Sequence, residues 1–302
     1  MPSLHDFLQL TANGLVTGSG YALLGAGFAL IYSVTERFHF AYGLSLTIGA
    51  YAAARLGAEL DFSFWAAVAG GALFALVSGV LIEGLLYRPM AARAGRSALL
   101  TIFVASLGLT IIGENLIKLL WLEQAGQSIH GVTLKAVKLG SIHLTALDLQ
   151  EMAVAWILIA LLALVLSRSG LGRQIRAVRA STQMSLTVGI SPPRIFLLVF
   201  AIGSAMAGVA GVFLAAQTSA TPSMGYEPTL LAFVVAFMAG VERSPFVVGL
   251  VGIALGLVAS WSGLWLSAQW STPIVFGVVV LYAAVRSVEL RGRFRRPLAA
   301  AS

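Results

Sequence analysis

Cysteine is absent from this sequence, and charged residues are scarce. Without thiols the chain forms no disulfide and offers no thiolate to a substrate or a metal ion. The four histidines have no metal-ligand spacing, and neither a "GxSxG" nucleophile motif nor a "GxxxxGK[ST]" phosphate-binding loop occurs. We therefore expect a protein that is not an enzyme, that holds no metal or cofactor, and that depends on another chain for any ATP-driven work.

The sequence is rich in long runs of hydrophobic residues. Hydrophobic residues make up 59% of the 302 residues and only 10% are charged, with a mean hydropathy of +0.92. The apolar runs approach the ~20 residues that a helix needs to cross ~30 Å of hydrocarbon. We predict an all-α, polytopic membrane bundle in which residues 1–302 form one domain with eight or nine spans. The working spans are 14–34, 38–56, 64–86, 98–120, 152–167, 195–217, 229–241, 246–262 and 269–286.

Basic residues are divided unequally between the two sides of these spans. If the spans alternate in direction, every Lys and Arg lies on one side except Arg55, Lys118, Lys135 and Lys138. Basic loops stay in the cytoplasm, so we predict a cytoplasmic carboxyl terminus and an amino terminus on the periplasmic side. This topology also explains the net charge of +7 without nucleic-acid binding.

Small residues recur at every fourth position in several spans, and such faces let helices approach closely in lipid. They are Gly14, Gly18, Ala22 and Ala26 in the first span, Gly203, Ala207 and Gly211 in the sixth, and Gly252, Gly256 and Ser260 in the eighth. We interpret them as packing faces and not as a substrate site.

Two segments interrupt the apolar pattern, and interrupted spans in corresponding halves indicate a transport pathway. One is "ERFHFAYG" at residues 36–43, and the other is "SMGYE" at residues 223–227, flanked by two prolines. The first four and the last four spans run in opposite order around the fifth, so an inverted repeat is compatible with the sequence. The pathway residues that we select are Tyr42, Gly43, Asn115, Ser223 and Gly225.

Ionisable groups inside the predicted spans are few. Glu114 is the only carboxylate placed deep in one, because Glu83 lies near a cytoplasmic end beside Arg88. A charge buried in lipid is a functional candidate. Lys118 follows one turn later on the same face, so a purely structural ion pair is the alternative.

A basic polar segment between two apolar runs is "LGRQIRAVRASTQMSLTVGISPPRIF" at residues 171–196, which contains arginines and no acidic residue. Ser181 is placed to cap a short helix, and Gly189 ends that helix before "SPP". Met184 and Leu186 give the helix an apolar tip. The loop, 168–194, is either an anchor on membrane lipid or a segment that inserts into a groove of a partner protein.

The order of these motifs resembles the LivH-type permease subunits of branched-chain amino-acid ABC importers. "GSGYALLGAGFALIYSVTERFHFAYG" is similar to the opening motif of that family, "IEGLLYRPM" to its "IERLxYRPL", and "GRQIRAVRASTQMSLTVGI" to its coupling segment. "AIGSAMAGVAGVFLA", "PSMGYEPTLLAFVVAFMAG" and "SPFVVGLVGIALGLV" continue the resemblance over almost the whole chain.

The resemblance implies an importer of the bacterial inner membrane. This chain would act there with a second, LivM-like permease subunit, two ATPase subunits that use ATP, and a periplasmic solute-binding protein. The loop 168–194 would be the coupling segment that contacts an ATPase subunit. Its contact residues would be Arg173, Arg176, Ser181, Met184, Leu186 and Gly189.

The implied substrate is a branched-chain or related small amino acid. His39 and Tyr42 stand where the family prefers Asn and His, and "GVERSPF" replaces a glycine-rich segment. Urea, a short amide or an aromatic acid therefore stays open as the transported molecule. An ion-coupled secondary transporter of small organic solutes and a non-transporting scaffold are the alternative classes, and the shortage of intramembrane ionisable groups argues against the first.

Overall fold

The computed structural model describes residues 4–121, 128–129, 131–132, 135–139, 142–241, 243–265, 270, 273–278 and 280–282. The helices of eight or more residues are α1 (Leu4–Thr35), α2 (Tyr42–Leu60), α3 (Phe64–Leu81), α5 (Ala98–Trp121), α6 (Ala146–Arg168), α7 (Gly170–Ala180), α9 (Pro192–Thr218), α10 (Tyr226–Ala239) and α11 (Pro245–Ser262). The shorter helices are α4 (Arg88–Ala94) and α8 (Thr182–Thr187). A π-helical turn, Ile82–Tyr87, joins α3 to α4 without a break, and residues 273–278 and 280–282 are also helical.

Six helical stretches in the described part of the chain are long and apolar enough to cross a membrane. They are Leu4–Thr35, Phe64–Ala94, Ala98–Leu120, Ala146–Arg168, Pro192–Thr218 and Pro245–Ser262. An all-α polytopic membrane protein is therefore confirmed, and these six correspond to six of the predicted spans. The two helices that follow the interrupted segments differ from them, since α10 has only 14 residues and α2 is less apolar than the six.

A small β-hairpin precedes α6. Its strands β1 (Ala136–Leu139) and β2 (Ile142–Thr145) pair antiparallel, with Ala136 opposite Thr145. The hairpin lies in the connection between α5 and α6, where small polar and apolar residues alternate as they do in short strands. The hairpin contacts α1, because the Gln9 amide donates to the His143 carbonyl at 2.8 Å. We call this side of the bundle the hairpin end, and the opposite side, where α6 meets α7, the basic end.

The small-residue faces pack α1 against α11. A Cβ atom built on Gly18 would lie 2.7 Å from the Ile253 Cα, and one on Gly256 would lie 2.3 Å from the Gly18 Cα. Without a hydrophobic driving force between helices in lipid, such close approach is what makes their association favourable. The interpretation of these positions as packing faces is confirmed for this pair.

A second close pair is formed by α9 and α3. A Cβ atom on Gly208 would lie 2.4 Å from the Ala75 Cβ, and one on Gly79 would lie 2.1 Å from the Ser204 Oγ. Around these two pairs, α1 also packs against α10, and α9 also packs against α2. The largest buried side chains, which include Phe28, lie where these helices meet.

Candidate functional site

The segment after α1 returns into the bundle before α2 begins. α1 ends at Thr35, and Glu36 takes a left-handed φ of 53° that turns the chain back. α2 starts at Tyr42, whose hydroxyl donates to the Leu24 carbonyl at 3.0 Å. Because Leu24 lies eleven residues before the end of α1, at ~1.5 Å per residue the Tyr42 hydroxyl is bound roughly 16 Å along α1 from that end.

The segment after α9 makes the equivalent return from the hairpin end. α9 ends at Thr218, Ser219 has a φ of 87°, and α10 begins at Tyr226. A Cβ atom on Gly225 would lie 2.2 Å from the Gly43 carbonyl oxygen, and one on Gly43 would lie 2.5 Å from the Gly225 carbonyl oxygen. The amino-terminal ends of α2 and α10 therefore touch, backbone against backbone.

A small cavity lies beside this contact. Its lining residues are Gly43, Leu44, Thr47, Thr110, Glu114, Pro222, Gly225 and Tyr226. The volume is about 10 Å³, which is close to the minimum for one water molecule. A solute the size of an amino acid cannot enter without separating the two helix ends.

Both signs of charge are present at this cavity. The amino-terminal ends of α2 and α10 each carry a partial positive charge from their unpaired peptide N–H groups. Glu114 lies opposite them with its side chain only 14% exposed, and its carboxylate is 2.7 Å from the Lys118 ammonium. The predicted pairing of Glu114 with Lys118 is confirmed. Tyr226 also lies against Glu114, so a residue at the start of α10 contacts the same carboxylate.

The selected pathway residues occupy different places. Gly43 and Gly225 form the contact itself. Tyr42 is fully buried and lies outside the cavity lining. Asn115 is exposed, and its amide donates to the Ile111 carbonyl at 2.8 Å on its own helix. Ser223 is exposed in the connection before α10.

Six lining residues were not among those selected from the sequence: Leu44, Thr47, Thr110, Glu114, Pro222 and Tyr226. Thr47 and Thr110 place hydroxyls at the cavity, and both donate to carbonyls of their own helices, Gly43 and Ser106, at 3.0 and 2.9 Å. Glu114 was noted, but its neighbour Asn115 was preferred. Threonine has no sequence signal that separates a lining position from a buried one, and Glu114 lines the cavity while it is paired with Lys118.

Glu83, which its sequence position places near a cytoplasmic end beside Arg88, is enclosed by the protein. Its side chain is 1% exposed and forms a buried ion pair with Arg37, which the segment before α2 supplies. Glu151 is a further buried carboxylate, and it accepts a hydrogen bond from the Gln217 amide at 2.7 Å. Glu83 and Glu151 are therefore more deeply buried in the protein than Glu114, whose side chain is 14% exposed.

The buried ion pair belongs to a cluster that fixes the segment before α2. Arg37 lies 5.0 Å from the centre of the Phe196 ring. His39 is fully buried, with its Nδ1 2.9 Å from the Tyr87 hydroxyl and its ring 4.8 Å from that of Phe200. These contacts tie residues 36–41 to the π-helical turn after α3 and to α9, and so they set the depth at which α2 begins.

Replacing Glu83 with Gln is expected to lower the free energy of unfolding by about 3–5 kcal/mol, because it leaves the Arg37 guanidinium buried without its counter-charge. The matched control is Glu59→Gln, which removes an ion pair with Arg55 whose side chains are half exposed and should cost about 0–1 kcal/mol. Thermal unfolding of both variants in detergent measures the difference. Equal losses in the two variants would contradict the structural role of the buried pair.

The basic end carries a pair of short helices. In α7, Ile175 and Val178 are buried, and the Ser169 hydroxyl accepts from the Gly172 N–H at 3.0 Å. Arg173 lies on the exposed side, while Arg176 donates to the Leu166 carbonyl. α7 is therefore held along the end of α6 by its apolar face.

The helix α8 follows directly and projects apolar groups into the surroundings. The Ser181 hydroxyl accepts from the Met184 N–H at 3.2 Å, as an N-cap does, and Gly189 ends the segment with a φ of 79°. Met184 is 67% exposed and Leu186 is 59% exposed. The exposed apolar side chains of α8 are thus available for contact with a partner.

The chain is similar to permease proteins along most of its length. Residues 10–284 match the family described as "Branched-chain amino acid transport system / permease component". It is 30% identical to the high-affinity branched-chain amino acid transport system permease protein LivH of Salmonella typhimurium, over 95% of this chain and 96% of that protein. It is 28% identical to BraD of Pseudomonas aeruginosa, a permease protein with the same description, over 97% and 98% of the two chains.

A more distant similarity joins the chain to a permease whose name gives a different substrate. It is 23% identical to the fructose import permease protein FruF of Bifidobacterium longum, over 93% of this chain and 81% of that protein. No solved structure matches the chain.

Proposed function

The chain belongs to the family of permease components of branched-chain amino acid transport systems, and from this premise we propose that it is the permease subunit of an ABC importer of branched-chain or related small amino acids. Its six long apolar helices make it a multi-pass membrane protein, and we place it in the bacterial inner membrane. Since its relatives are permease proteins of such systems, the ion-coupled carrier is not supported.

The observation that carries the mechanism is the contact between the two interrupted helices. In transporters, broken helices place their amino-terminal ends against anionic groups of the substrate. The ends of α2 and α10 would receive the substrate carboxylate, and Glu114 would receive its ammonium group. Transport then requires Gly43 and Gly225 to separate, because the cavity of about 10 Å³ beside them is too small for an amino acid.

An inverted repeat accounts for how the two broken helices come to face each other. The pairing of α1 with α11 corresponds to that of α9 with α3, and α1 with α10 corresponds to α9 with α2. Glu36 after α1 and Ser219 after α9 both have positive φ. With α2, α10 and the helical residues beyond 272 added to the six long helices, the bundle has nine spans. Its amino terminus is periplasmic, and its basic end and carboxyl terminus are cytoplasmic.

Other subunits would provide ATP hydrolysis and substrate delivery. The sequence of this chain has no ATP-binding loop, so two ATPase subunits would hydrolyse ATP and contact the exposed tip of α8. The connection between α5 and α6 is too short to enclose a ligand, so a periplasmic solute-binding protein would deliver it. A second, LivM-like permease subunit would complete the pathway.

Co-purification and uptake together test this proposal. The full chain, expressed with its chromosomal neighbours, is expected to retain an ATPase subunit and to drive uptake of labelled leucine, isoleucine or valine that stops when ATP is depleted. Uptake that survives ATP depletion but stops when the ion gradient is collapsed would overturn it. If the branched-chain amino acids are not transported, direct uptake of labelled urea, a short amide, an aromatic acid or fructose identifies the substrate class.

A further inference from the structure

A wide groove lies at the basic end, between α1, α6, α7 and the start of α11. Its volume is about 660 Å³. Buried apolar side chains such as Leu30, Leu162 and Val248 line its inner part, and Leu164 and Phe246 are partly exposed at its edges. None of these residues lines the cavity between α2 and α10.

The length of the groove matches one leaflet of a bilayer. On α6 the lining residues extend from Ala160 to Arg168, and on α1 from Ala26 to Ser33. At ~1.5 Å per residue these stretches measure roughly 12 Å and 10 Å. Half of a hydrocarbon core of ~30 Å is about 15 Å. An occupant that fills the groove from the basic end therefore reaches nearly to the middle of the membrane and no further.

The basic end of the groove is strongly cationic. Four guanidinium groups line it, from Arg168, Arg176, Arg179 and Arg243, and no acidic side chain is among the described residues of the lining. Arg168 and Arg243 are exposed. Arg176 donates to the Leu166 carbonyl, which uses only part of its five N–H donors.

A helix end adds to this charge. The groove includes Ser244, Pro245 and Phe246, where α11 begins, and the amino-terminal end of a helix attracts anions. The occupant that fits is thus apolar over one leaflet and anionic at the cytoplasmic surface. Basic pockets between membrane helices on this side are suited to phospholipid head groups.

We propose that this groove binds an anionic phospholipid of the cytoplasmic leaflet, with its phosphate among the guanidinium groups and an acyl chain between α1 and α6. The proposal rests on the orientation given above, in which the basic end is cytoplasmic. The lipid would fill the space between α6 and α11 and hold α7 in place, next to the helix that we assign to ATPase contact.

Native mass spectrometry tests the proposal on the full chain, purified in mild detergent with the subunits that it retains. After reconstitution with equal amounts of phosphatidylglycerol and phosphatidylcholine, the protein is expected to keep phosphatidylglycerol. The double variant Arg168→Gln/Arg243→Gln should reduce that retention by about tenfold or more, since each basic residue contributes to the attraction of an anionic lipid. Ala160→Trp, which fills the groove without changing its charge, should reduce it as well.

The matched control is Arg173→Gln on α7, because Arg173 is exposed and does not line the groove. Its retention of phosphatidylglycerol should equal that of the unmodified chain. Equal retention of the two lipids, or equal loss in the control and the double variant, would overturn the proposal. So would thermal stabilisation by sodium phosphate alone that matches phosphatidylglycerol, or a crosslink from Ala160→Cys to a second permease subunit, which would make the groove a subunit interface. These measurements do not require transport, so the lipid proposal can be overturned while the proposed transport function stands.

Discussion

Gly225→Ala is expected to lower uptake by about tenfold or more, although it adds a single methyl group. That methyl would lie 2.2 Å from the Gly43 carbonyl oxygen and 2.6 Å from the Gly43 carbonyl carbon. Both neighbours are backbone atoms, so no flexible side chain can move aside. Overpacking of this kind costs about 1–3 kcal/mol, which corresponds to roughly 5- to 150-fold in an equilibrium at 1.4 kcal/mol per tenfold. The measurement is the initial rate of substrate uptake in cells or vesicles with equal amounts of inserted permease.

Because of the backbone conformation of Gly225, the Gly225→Ala substitution tests the methyl contact alone. Its φ of −78° and ψ of −14° are open to any L-residue, so the methyl contact is the only new strain. Gly108→Ala on α5 is the matched control, because a Cβ atom there meets nothing within 4 Å. Gly43→Ala should reproduce the loss from the other side. If Gly225→Ala inserts normally and transports at the rate of the Gly108→Ala variant, the contact does not gate the pathway.

The helix packing could be predicted from the sequence because its signal is local. Gly18 and Gly256 each belong to a face of small residues repeated every four positions, and such a face has few uses in lipid other than close approach to another helix. The two interrupted segments were also visible, since prolines and polar residues break an otherwise apolar run. The contact between Gly43 and Gly225 was not, because it depends on how two distant segments fold back into the bundle.

The surroundings of Asn115 and Glu83 could not be predicted from the sequence, for a different reason. Asn115 was preferred to Glu114, but neighbours on a helix point about 100° apart, and α5 is apolar over most of its surface, so the sequence does not identify its inner face. Glu83 was assigned by its proximity to Arg88, whereas the partner in space is Arg37. The choice between those partners is made by the return of residues 36–41 into the bundle, which no periodicity predicts.

The exposed tip of α8 is the place where a single charge should separate ATP hydrolysis from transport. If Leu186 enters an apolar groove of an ATPase subunit, Leu186→Asp places a carboxylate there without a partner, at a cost of about 3 kcal/mol or more. Uptake should then fall by about a hundredfold, while the permease stays inserted and its external binding protein still docks. The ATPase subunits should either dissociate or hydrolyse ATP without driving transport. Co-purification and an ATPase assay on the same preparation distinguish these two results.

Three further substitutions on the same loop show what the effect of Leu186→Asp means. Ser181→Ala removes the N-cap that accepts from the Met184 N–H, so it should cost about 1 kcal/mol of helix stability and weaken coupling less. Gln183→Asp puts the same charge on an exposed position of α8, near the helix end that favours it, and should leave uptake nearly unchanged. Neutralising Arg173 should act mildly and depend on salt, because exposed charges are screened at physiological ionic strength. Only Leu186→Asp both adds a charge and removes an apolar side chain from the tip of α8. If that variant assembles with the ATPase subunits and transports at the unmodified rate, α8 is a membrane-surface anchor and does not take part in coupling.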